Sequence, residues 1–429
     1  MDMFEYRNKT LLCEKVKVED IISDVGTPAY VYSKNSIVTQ YHALERAFRA
    51  VDTLICFSVK SNSNLSICRL LAGEGSGFDV VSGGELFRAI RAGGDPSKIV
   101  FAGVGKTYQE LRYALENDIF MFNVESLAEL ERINTLAGEV GKIPKVALRI
   151  NPDIDAKTHT KTTTGKKENK FGIDFTEAER IIKQSMMYPS VDLCGLHVHL
   201  GSPIYTVDPY VHALKKIVTL INKCRDAGLD IRYMNIGGGY CISYTGENVI
   251  QPQDYASQIL PLVKEMQCNL IMEPGRFIMG NSGILITRVI YTKETPHGKR
   301  FVICDAAMND LVRPALYDAF HRIWPVNTNI KMPKVENPDK PVTKKGIDLV
   351  DIVGPVCESS DVFATKRALP RVREGDLLAI YSAGAYGFSM SSNYNSRPRP
   401  CEVLVDGDQY HVIRERETYE DLVRGENFV

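Results

Sequence analysis

The chain has 429 residues, of which 52 are basic and 53 acidic, so its formal net charge is −1. This balance excludes the basic surface typical of nucleic-acid-binding proteins and gives no attraction to an anionic membrane. No apolar run approaches the roughly 20 residues that span a bilayer, and no secretory signal is expected. Ten cysteines without CxxC spacing predict reduced thiols, a cytoplasmic location and no zinc cluster.

Eight short apolar runs alternate with helical patterns between Leu54 and Met272. The predicted strands are Leu54–Val59, Phe78–Val81, Ile99–Val104, Ile119–Val124, Val146–Ile150, Leu193–Leu200, Tyr233–Ile236 and Leu270–Met272. The predicted helices between them include Glu85–Ala92, Glu110–Leu115, Leu127–Leu136, Ala178–Met186, Tyr210–Cys224 and Tyr255–Met266. This alternation predicts an α/β fold with a (β/α)8 TIM-like barrel, and a doubly wound open sheet is the alternative. At this length two domains are expected.

Capping boxes mark several predicted helix starts directly after strand ends. They pair Thr107 with Glu110, Ser126 with Glu129 and Thr176 with Glu179. One connection between a strand and a helix is much longer than the others, from Asn151 to about Thr176. It carries the basic side chains of Lys157, His159, Lys161, Lys166, Lys167 and Lys170. A loop of this length is either a lid over the site or a solvated charged segment, and both interpretations stay open.

The pattern changes after Gly283, where strand-like runs replace helical periodicity. The predicted strands are Ile284–Tyr291, Arg300–Cys304, Leu377–Ser382, Glu402–Val405 and Gln409–Arg414, the last two forming a hairpin that turns at Asp406-Gly407. A helix is predicted near Pro314–Arg322, and Met332–Lys345 is predicted to be an exposed loop. This pattern predicts that residues 283–429 form a second, β-rich domain, which is either a sandwich or a barrel.

Charged side chains lie at the ends of the predicted barrel strands, where the active sites of such barrels are found. Lys60 ends the first strand, Asp79 lies in the second and Arg149 lies near the end of the fifth. A partly desolvated Lys can become a nucleophilic amine. An Arg at this depth needs an anionic partner, either a protein carboxylate or a ligand. A surface Lys and a hydrogen-bonded buried Asp are the structural alternatives.

Two histidines and a glycine run follow later strands. His197 and His199 lie two residues apart, so both can face the barrel mouth or both can be buried with satisfied hydrogen bonds. A metal pair would lack a third ligand at suitable spacing, so no metal is predicted and a flat imidazole stacked on an aromatic cofactor is favoured. The glycines at 237–239 follow the next strand and allow backbone N–H groups to approach a phosphate closely.

The last barrel strand runs directly into Glu273-Pro274-Gly275-Arg276. The carboxylate can pair with a protonated ring nitrogen, and the guanidinium can bind a phosphate or a carboxylate. An amine, a phosphate-binding loop, a flat ring and a carboxylate are together the groups needed to hold pyridoxal 5′-phosphate. In this arrangement Lys60 forms the Schiff base, Ser202 and the glycines bind the phosphate, and Glu273 protonates the ring nitrogen. A protonated ring favours decarboxylation over racemisation.

Short motifs follow one another in order through nearly the whole chain. They are Phe57–Asn62, Phe78–Glu85, Arg149–Asp153, Lys170–Gly172, His197–Ser202, 237–239 and 273–276 in the barrel, then Met308–Tyr317, Gly354–Asp361 and Gly384–Gly387. In this order they resemble the fold-type III, alanine-racemase-like family of enzymes that use pyridoxal 5′-phosphate. Within that family the chain is similar to the bacterial-type diaminopimelate decarboxylases. Ser360 stands where many members carry Gly.

The resemblance implies a role for each of these positions. It implies that Lys60 holds the cofactor, that His199 stacks on the pyridine ring and that Cys357 is the acid that reprotonates the substrate carbon. Further cofactor contacts are implied for Asp79, Arg149, Ser202, Gly237, Gly238, Gly239, Glu273, Gly275, Arg276 and Tyr386. Substrate contacts are implied for Arg276, Arg313, Tyr317, Glu358 and Tyr386. Arg276 can serve either the cofactor phosphate or a substrate carboxylate, and both remain open.

The resemblance also implies an assembly and a division of the chain. The segment Cys357–Asp361 is implied to enter the site of a neighbouring subunit, so a homodimer with composite active sites is expected. Residues 1–33 are implied to join the β-rich domain, which leaves 34–282 as the barrel.

The implied reaction is decarboxylation of meso-2,6-diaminopimelate to L-lysine, the last step of lysine biosynthesis. This substrate has a distal carboxylate, which Arg276 and Arg313 can bind, and a distal amine, which Glu358 can bind. A site built to pair a carboxylate disfavours ligands that lack it. A related decarboxylase acting on ornithine, arginine or lysine is an alternative. So are alanine racemase, which Glu273 disfavours, and a catalytically silent homologue, against which Lys60 and Cys357 argue.

Overall fold

The computed structural model describes residues 3–155, 170–342 and 344–429. The chain divides into two compact units. Unit 1 comprises Met1–Thr39, Ile242–Asn248 and Ile278–Val429, and unit 2 comprises Gln40–Cys241 and Val249–Phe277. The short segment at 242–248 belongs to unit 1 although it lies inside the predicted barrel span of 34–282.

Unit 1 begins with a small antiparallel sheet in the order β1-β2-β3, made by β1 (Phe4–Arg7), β2 (Thr10–Cys13) and β3 (Val16–Lys17). Helix α1 (Val18–Val25) and strand β4 (Ala29–Ser33) follow, and α2 (Lys34–Phe48) crosses the boundary between the units. The apolar side chains of this segment, such as Leu11, Ile21 and Val31, are buried in one cluster with Ile284 and Val403 from later in the chain.

Unit 2 is a closed barrel of eight parallel strands. They are β5 (Thr53–Ser58), β6 (Gly77–Val80), β7 (Ile99–Phe101), β8 (Met121–Val124), β9 (Lys145–Arg149), β10 (Asp192–His197), β11 (Tyr233–Asn235) and β12 (Asn269–Met272). The strands pair in chain order, and β12 closes the barrel by pairing with β5, with Leu270 opposite Thr53. The predicted (β/α)8 barrel is confirmed, and the open sheet is excluded by this closure.

An α-helix connects each barrel strand to the next strand in the chain. These helices are α3 (Leu65–Gly73), α4 (Gly83–Arg91), α5 (Tyr108–Glu116), α6 (Leu127–Val140), α7 (Phe175–Lys183), α8 (Asp208–Asp226) and α9 (Pro252–Met266). Parallel strands covered on both faces are nearly continuous apolar runs, which is why the sequence located them. The strand β10 ends at His197, earlier than predicted, so His199 lies in the segment that follows it.

The predicted helix caps were right to different degrees. The Thr107 hydroxyl accepts the Glu110 N–H, and the Glu110 carboxylate accepts the Thr107 N–H at 2.9 Å, which confirms that capping box. Ser126 caps α6 by accepting the Glu129 N–H. The Glu129 carboxylate, however, accepts the N–H of Glu125 at 2.9 Å, one residue before the cap.

The third predicted cap, at Thr176, was wrong. Helix α7 begins at Phe175, two residues earlier than a cap at Thr176 would give, and its cap is Asp174, which accepts the Glu177 N–H at 2.9 Å. A carboxylate two positions upstream therefore takes the role assigned to the hydroxyl. The basic residues predicted between 157 and 167 lie outside the described residues.

The rest of unit 1 is rich in strands. They are β13 (Gly283–Glu294), β14 (Arg300–Cys304), β15 (Ile323–Pro325), β16 (Ile347–Val353), β17 (Val362–Pro370), β18 (Leu377–Ile380), β19 (Cys401–Asp406) and β20 (Gln409–Arg414). The main sheet has the order β17-β16-β14-β13-β4-β19-β20, and β18 pairs with β13 and β15. The short helix α10 (Arg276–Met279) begins in unit 2 and ends in unit 1, and α11 (Arg313–Tyr317) and α12 (Tyr419–Leu422) belong to unit 1.

Two local predictions in unit 1 need correction, and a third is confirmed for most of its residues. The helix predicted near 314–322 ends at Tyr317, because Asp318 adopts a left-handed conformation with φ 51°. The β19–β20 strands extend through Asp406, so the turn lies one residue later than predicted. The exposed loop predicted at 332–345 is confirmed for most of its described residues, although Glu336 is buried and its carboxylate lies 3.4 Å from the Arg367 guanidinium. Within the described residues, no helix combines the length and apolar character required to cross a membrane.

Candidate active site

A cavity of about 410 Å³ opens in unit 2 where the barrel strands end. The residues that line it follow or end strands β5, β6, β7, β9, β10 and β12. They are Lys60, Val81, Ala102, Gly103, Val104, Gly105, Glu110, Arg149, Phe171, His197, His199 and Glu273. The C-terminal end of the strands is where barrels of this type place their active sites.

Lys60 is held at the cavity by a buried carboxylate. It lies in the 3-10 turn Val59–Ser61 directly after β5, and its Nζ donates to Oδ2 of Asp79 at 2.7 Å. The Ser58 hydroxyl donates to the same oxygen at 2.5 Å. Asp79 is fully buried. Burial and the neighbouring Glu273 raise the pKa of Asp79, although Lys60 opposes them. The ion pair therefore directs the amine into the cavity instead of toward bulk solvent.

Glu273 is a buried anion supported by two amides. Its Oε1 accepts from Nδ2 of Asn123 at 3.0 Å and from Nδ2 of Asn235 at 2.7 Å. Its Oε2 lies 3.4 Å from Nε2 of His197. Burial alone would raise the pKa of Glu273, but His197 and Lys60 outweigh it and hold that pKa well below its usual range. The carboxylate is therefore available to keep a cationic partner protonated.

Asn123 and Asn235 were not predicted as site residues, although the sequence contains a signal for them. Asn123 and Asn235 are fully buried polar residues within or at the end of the apolar strands β8 and β11. A buried amide needs a hydrogen-bond partner. The sequence therefore indicates a polar contact at each position, but it does not identify Glu273 as the shared acceptor.

The two histidines share the cavity but differ in their surroundings. His197 is buried, and neither ring nitrogen has a well-formed hydrogen bond within the described part of the chain. Nδ1 of His199 accepts the N–H of Gly238 at 3.2 Å. Burial, Arg149 and Lys60 lower the pKa of His199 well below its usual value. His199 is therefore a neutral, flat ring at the cavity. No cluster of three or more His, Cys, Asp or Glu residues suited to a metal occurs in the described ranges.

Arg149 has a protein carboxylate as its partner. Its Nη1 donates to Oε1 of Glu125 at 2.7 Å, and the guanidinium lies 4.8 Å from the centre of the Phe171 ring. Glu125 also accepts the Gly103 N–H at 2.8 Å. Burial raises the pKa of Glu125, but Arg149 and Lys106 outweigh it and lower that pKa. Of the two partners that the sequence left open, the structure supplies the carboxylate, and Glu125 was not predicted.

The glycine run after β11 leaves no room for side chains. A Cβ at Gly238 would lie 2.3 Å from the carbonyl oxygen of Glu273, and Gly239 has φ +113°. The N–H groups of Gly237 and Gly238 are already used by protein acceptors, Oδ1 of Asn235 at 2.9 Å and Nδ1 of His199 at 3.2 Å. The loop therefore differs from the expected cradle of three amides, because two of them support neighbouring side chains.

Ser202 and Arg276 lie beside each other in unit 2. Nε of Arg276 donates to Oγ of Ser202 at 3.0 Å, and Arg276 is 6% exposed. A Cβ at Gly275 would lie 2.9 Å from the Cβ atoms of Ser58 and Ser61. This close approach brings the turn against the segment that carries Lys60.

The remaining predicted residues lie in unit 1. Cys357 is exposed, the other nine cysteines are buried, and all ten are free thiols. The backbone N–H of Cys357 donates to Oδ1 of Asn395 at 2.9 Å. The adjacent Glu358 accepts the Tyr394 hydroxyl at 2.7 Å, and hydrogen bonds from Ser360 and Tyr394 lower the pKa of Glu358.

Asp361 holds the loop that carries Cys357. This buried carboxylate accepts the N–H groups of Met308 and Val356, each at 2.7 Å. A Cβ at Gly354 would lie 2.4 Å from its Oδ2. The loop therefore has a defined shape although its tip is exposed.

Arg313, Tyr317 and Tyr386 belong to the same unit. Arg313 begins helix α11 and is 6% exposed, and Tyr317 ends that helix. Tyr386 adopts a left-handed backbone conformation with φ 58°. Such a conformation is uncommon for a bulky residue and is frequent at functional sites.

Comparison with known proteins gives one consistent result. Residues 34–280 match the family described as pyridoxal-dependent decarboxylase, pyridoxal binding domain. The diaminopimelate decarboxylase of Pseudomonas aeruginosa is 45% identical over 100% of both chains. That of Haemophilus influenzae is 43% identical over 98% of both. The chain belongs to the diaminopimelate decarboxylase family of pyridoxal-dependent decarboxylases.

Solved structures of diaminopimelate decarboxylases agree with this membership. The Helicobacter pylori enzyme complexed with L-lysine superposes with a TM-score of 0.88 and 42% identity, over 95% of this chain and 98% of that one. The M. jannaschii enzyme in complex with L-lysine superposes with a TM-score of 0.91 and 37% identity, over 100% of this chain and 98% of that one. A lysine/ornithine decarboxylase from Vibrio vulnificus, at 21% identity, shows the fold alone.

The cavity of this diaminopimelate decarboxylase family member fits the cofactor of its family, pyridoxal 5′-phosphate. An amine is held toward the cavity by Asp79, and an anionic carboxylate lies at the end of β12. The approach of Gly238 to the carbonyl oxygen of Glu273 is too close for any side chain, so the backbone after β11 packs directly against the turn that carries Glu273. These features place an amine and a buried carboxylate in one cavity of about 410 Å³.

Proposed function

We propose that this protein decarboxylates meso-2,6-diaminopimelate to L-lysine and carbon dioxide, the last step of lysine biosynthesis. The observation that carries the proposal is Glu273, a buried anion at the end of β12 that accepts hydrogen bonds from Asn123 and Asn235. An anion there keeps a ring nitrogen protonated, which suits carbanion chemistry. Relatives of 42–45% identity named diaminopimelate decarboxylase support the substrate.

When bound, pyridoxal 5′-phosphate supplies an electron sink for the carbanion that decarboxylation produces. In the proposed site Lys60 would hold the cofactor through Nζ, Asp79 would orient that amine and Glu273 would keep a proton on the ring nitrogen. The neutral His199 ring would provide a flat surface for the cofactor ring.

The phosphate would be bound by groups near the β10 and β12 ends. The Ser202 hydroxyl, the Gly239 backbone and the turn at Gly275 are proposed for this role. Arg276 donates to Ser202 at 3.0 Å, so its guanidinium is proposed to serve the anion that binds there, either the phosphate or the substrate carboxylate. Arg149 contributes to cofactor binding by supporting the wall of the cavity, since Glu125 is its direct partner.

Substrate recognition is proposed for unit 1. Arg313 binds the distal carboxylate, Glu358 binds the distal amine, and Tyr317 and Tyr386 contact the substrate, Tyr386 also the cofactor. The exposed Cys357 thiol delivers a proton to the substrate carbon after carbon dioxide leaves. Its exposure supports a role in which it meets a partner subunit.

A homodimer with composite sites is part of the proposal. The exposed loop that carries Cys357 and Glu358 has a shape held by Asp361, as a segment that enters a partner's site requires. The ten free thiols support the cytoplasmic location that the sequence predicts.

The substrate is tested by measuring carbon dioxide release from meso-diaminopimelate, lysine, ornithine and arginine with the purified protein. We expect visible absorbance from bound cofactor, and release from meso-diaminopimelate far above the others. Equal or better turnover of ornithine would overturn the substrate, and absence of cofactor from protein with intact Lys60 would overturn the proposal as a whole.

The composite site is tested by mixing two inactive variants, Lys60→Ala and Cys357→Ala, under conditions that exchange subunits. Random pairing makes half of the dimers mixed, and each mixed dimer has one intact site, so activity should return to about a quarter of the wild-type value. A mixture that stays inactive would place both residues of each site on one chain.

A further inference from the structure

Arg313 is a buried cation without an anionic protein partner. Its side chain is 6% exposed, yet no carboxylate in the described residues lies within ion-pair distance of its guanidinium. The guanidinium instead contacts two uncharged groups. Its Nη1 lies 3.1 Å from Nε2 of His321, and its Cζ lies 5.4 Å from the centre of the Tyr244 ring. A buried charge is costly unless it is paired, so this arrangement leaves a cation ready for an anionic ligand.

Two contacts of His321 indicate where its ring hydrogen lies. Nδ1 lies 2.8 Å from the carbonyl oxygen of Tyr381, which can only accept, so Nδ1 carries the hydrogen. The guanidinium of Arg313 can only donate, so Nε2 must be bare to accept from it. Both bonds together require a neutral imidazole with the hydrogen on Nδ1. His321 is fully buried, and the Tyr244 ring lies edge-on to it at 5.9 Å.

We propose that His321 is a positioning residue for substrate recognition, which holds the Arg313 guanidinium for the distal carboxylate without neutralising its charge. This inference rests on the proposed function, in which Arg313 binds that carboxylate. A carboxylate in place of His321 would hold the guanidinium equally well but would occupy it as an ion pair. A neutral acceptor, itself held by the Tyr381 carbonyl, fixes the geometry and leaves the charge for the substrate.

A set of variants at this position tests the inference. In His321→Ala the guanidinium loses its acceptor, so KM for meso-diaminopimelate should rise about tenfold or more while kcat changes little. His321→Gln can accept from Arg313 and donate to the Tyr381 carbonyl, so it should recover most of the affinity. His321→Glu should raise KM more than His321→Ala, because the new carboxylate pairs with Arg313. The exposed His411→Ala is the matched control, with unchanged KM.

Two inhibitors separate positioning of Arg313 from general damage. L-lysine keeps the carboxylate that decarboxylation leaves behind, whereas 1,5-diaminopentane has the same chain and no carboxylate. His321→Ala should weaken inhibition by L-lysine in parallel with KM and leave inhibition by the diamine unchanged. Equal weakening of both inhibitors, or an unchanged KM, would overturn the inference.

A double variant then tests whether His321 acts through Arg313. Adding His321→Ala to Arg313→Ala should lower kcat/KM no further than Arg313→Ala alone, because the two changes remove one interaction. Additive losses would contradict the inference. A wild-type protein that releases no carbon dioxide from meso-diaminopimelate would refute the proposed function itself. If the wild-type protein is active and His321→Ala leaves KM unchanged, only the role of His321 is refuted.

Discussion

Nζ of Lys60 and Oδ2 of Asp79 form an ion pair of 2.7 Å at the mouth of the barrel. The carboxylate is fully buried, whereas the Lys side chain is 34% exposed. An amine at this depth would otherwise extend its flexible chain toward solvent. The ion pair therefore determines where the proposed cofactor-binding amine lies before any ligand arrives.

Asp79→Asn should weaken this control. The amide keeps the shape of the carboxylate but not its charge, so cofactor affinity and turnover should fall, turnover by on the order of 10- to 100-fold. The measurements are cofactor absorbance during dialysis and carbon dioxide release. Asp118→Asn is the matched control, because its ion pair with Lys142 involves a carboxylate that is 76% exposed and should contribute little. Equal effects of the two changes would contradict the importance of burial.

Glu273→Gln should slow decarboxylation while the cofactor remains bound. The amide removes the anion that would keep a ring nitrogen protonated, so the loss should be on the order of 10²- to 10³-fold in kcat. Carbon dioxide release and the visible spectrum, measured on the same sample, separate chemistry from binding. Wild-type rates in this variant would show that the charge of Glu273 has no part in the reaction.

Cys357→Ala should keep the cofactor and lose most turnover, because the proposed proton donor is removed. A loss on the order of 10²-fold or more is expected for a general acid. Ser359→Ala is the control, since this side chain is exposed on the same loop. If both variants retained wild-type turnover, the proton would have to come from another group.

Gly238→Ala should destabilise the glycine run and weaken cofactor binding. The added Cβ would lie 2.3 Å from the Glu273 carbonyl oxygen, a backbone atom that cannot rotate away. Gly73→Ala is the matched control, because no atom lies within 4 Å of the added Cβ at the end of α3. Thermal unfolding should show a lower midpoint for the first variant and an equal or higher one for the second. Identical midpoints would mean that the loop can shift at no cost.

Glu85 should make stability depend on pH near neutrality. Burial raises the pKa of Glu85 to about 7, although its carboxylate accepts the Val81 N–H at 2.9 Å. Because the folded pKa is raised, the stabilisation is fully present below the unfolded pKa of about 4.3 and is lost as pH rises through about 7. The free energy of unfolding of the wild type, relative to Glu85→Gln, should therefore fall between about pH 4 and pH 7 and stay level above that range. A constant difference over this range would contradict the raised pKa.

The sequence predicted the barrel well because the relevant signals are local. A parallel strand covered on both faces is an apolar run of four to eight residues. The first polar residue after such a run therefore marks the end of the strand. Lys60 and Glu273 were found in this way, one after β5 and the other after β12. Their position at the same end of the barrel then follows from parallel pairing.

Contacts between residues that lie far apart in the chain could not be predicted from the sequence. The contact between Arg313 and His321 and the contact between Arg149 and Glu125 depend on which strands and loops become neighbours. The cap of α7 shows the same limit at short range, since Asp174 and Thr176 are both competent caps and only the backbone path selects one.

By itself the sequence determined eight strands and the charged residues that end them, because burial imposes an apolar pattern along each strand. Only the tertiary structure decided that Asn123 and Glu273, 150 residues apart, meet at 3.0 Å. Barrel closure brings them together, and a hydrogen bond that depends on closure leaves no trace in the residues on either side of it. The electrostatics of the site, with Glu273 ionised beside a lysine that Asp79 orients, is therefore a property of the closed barrel.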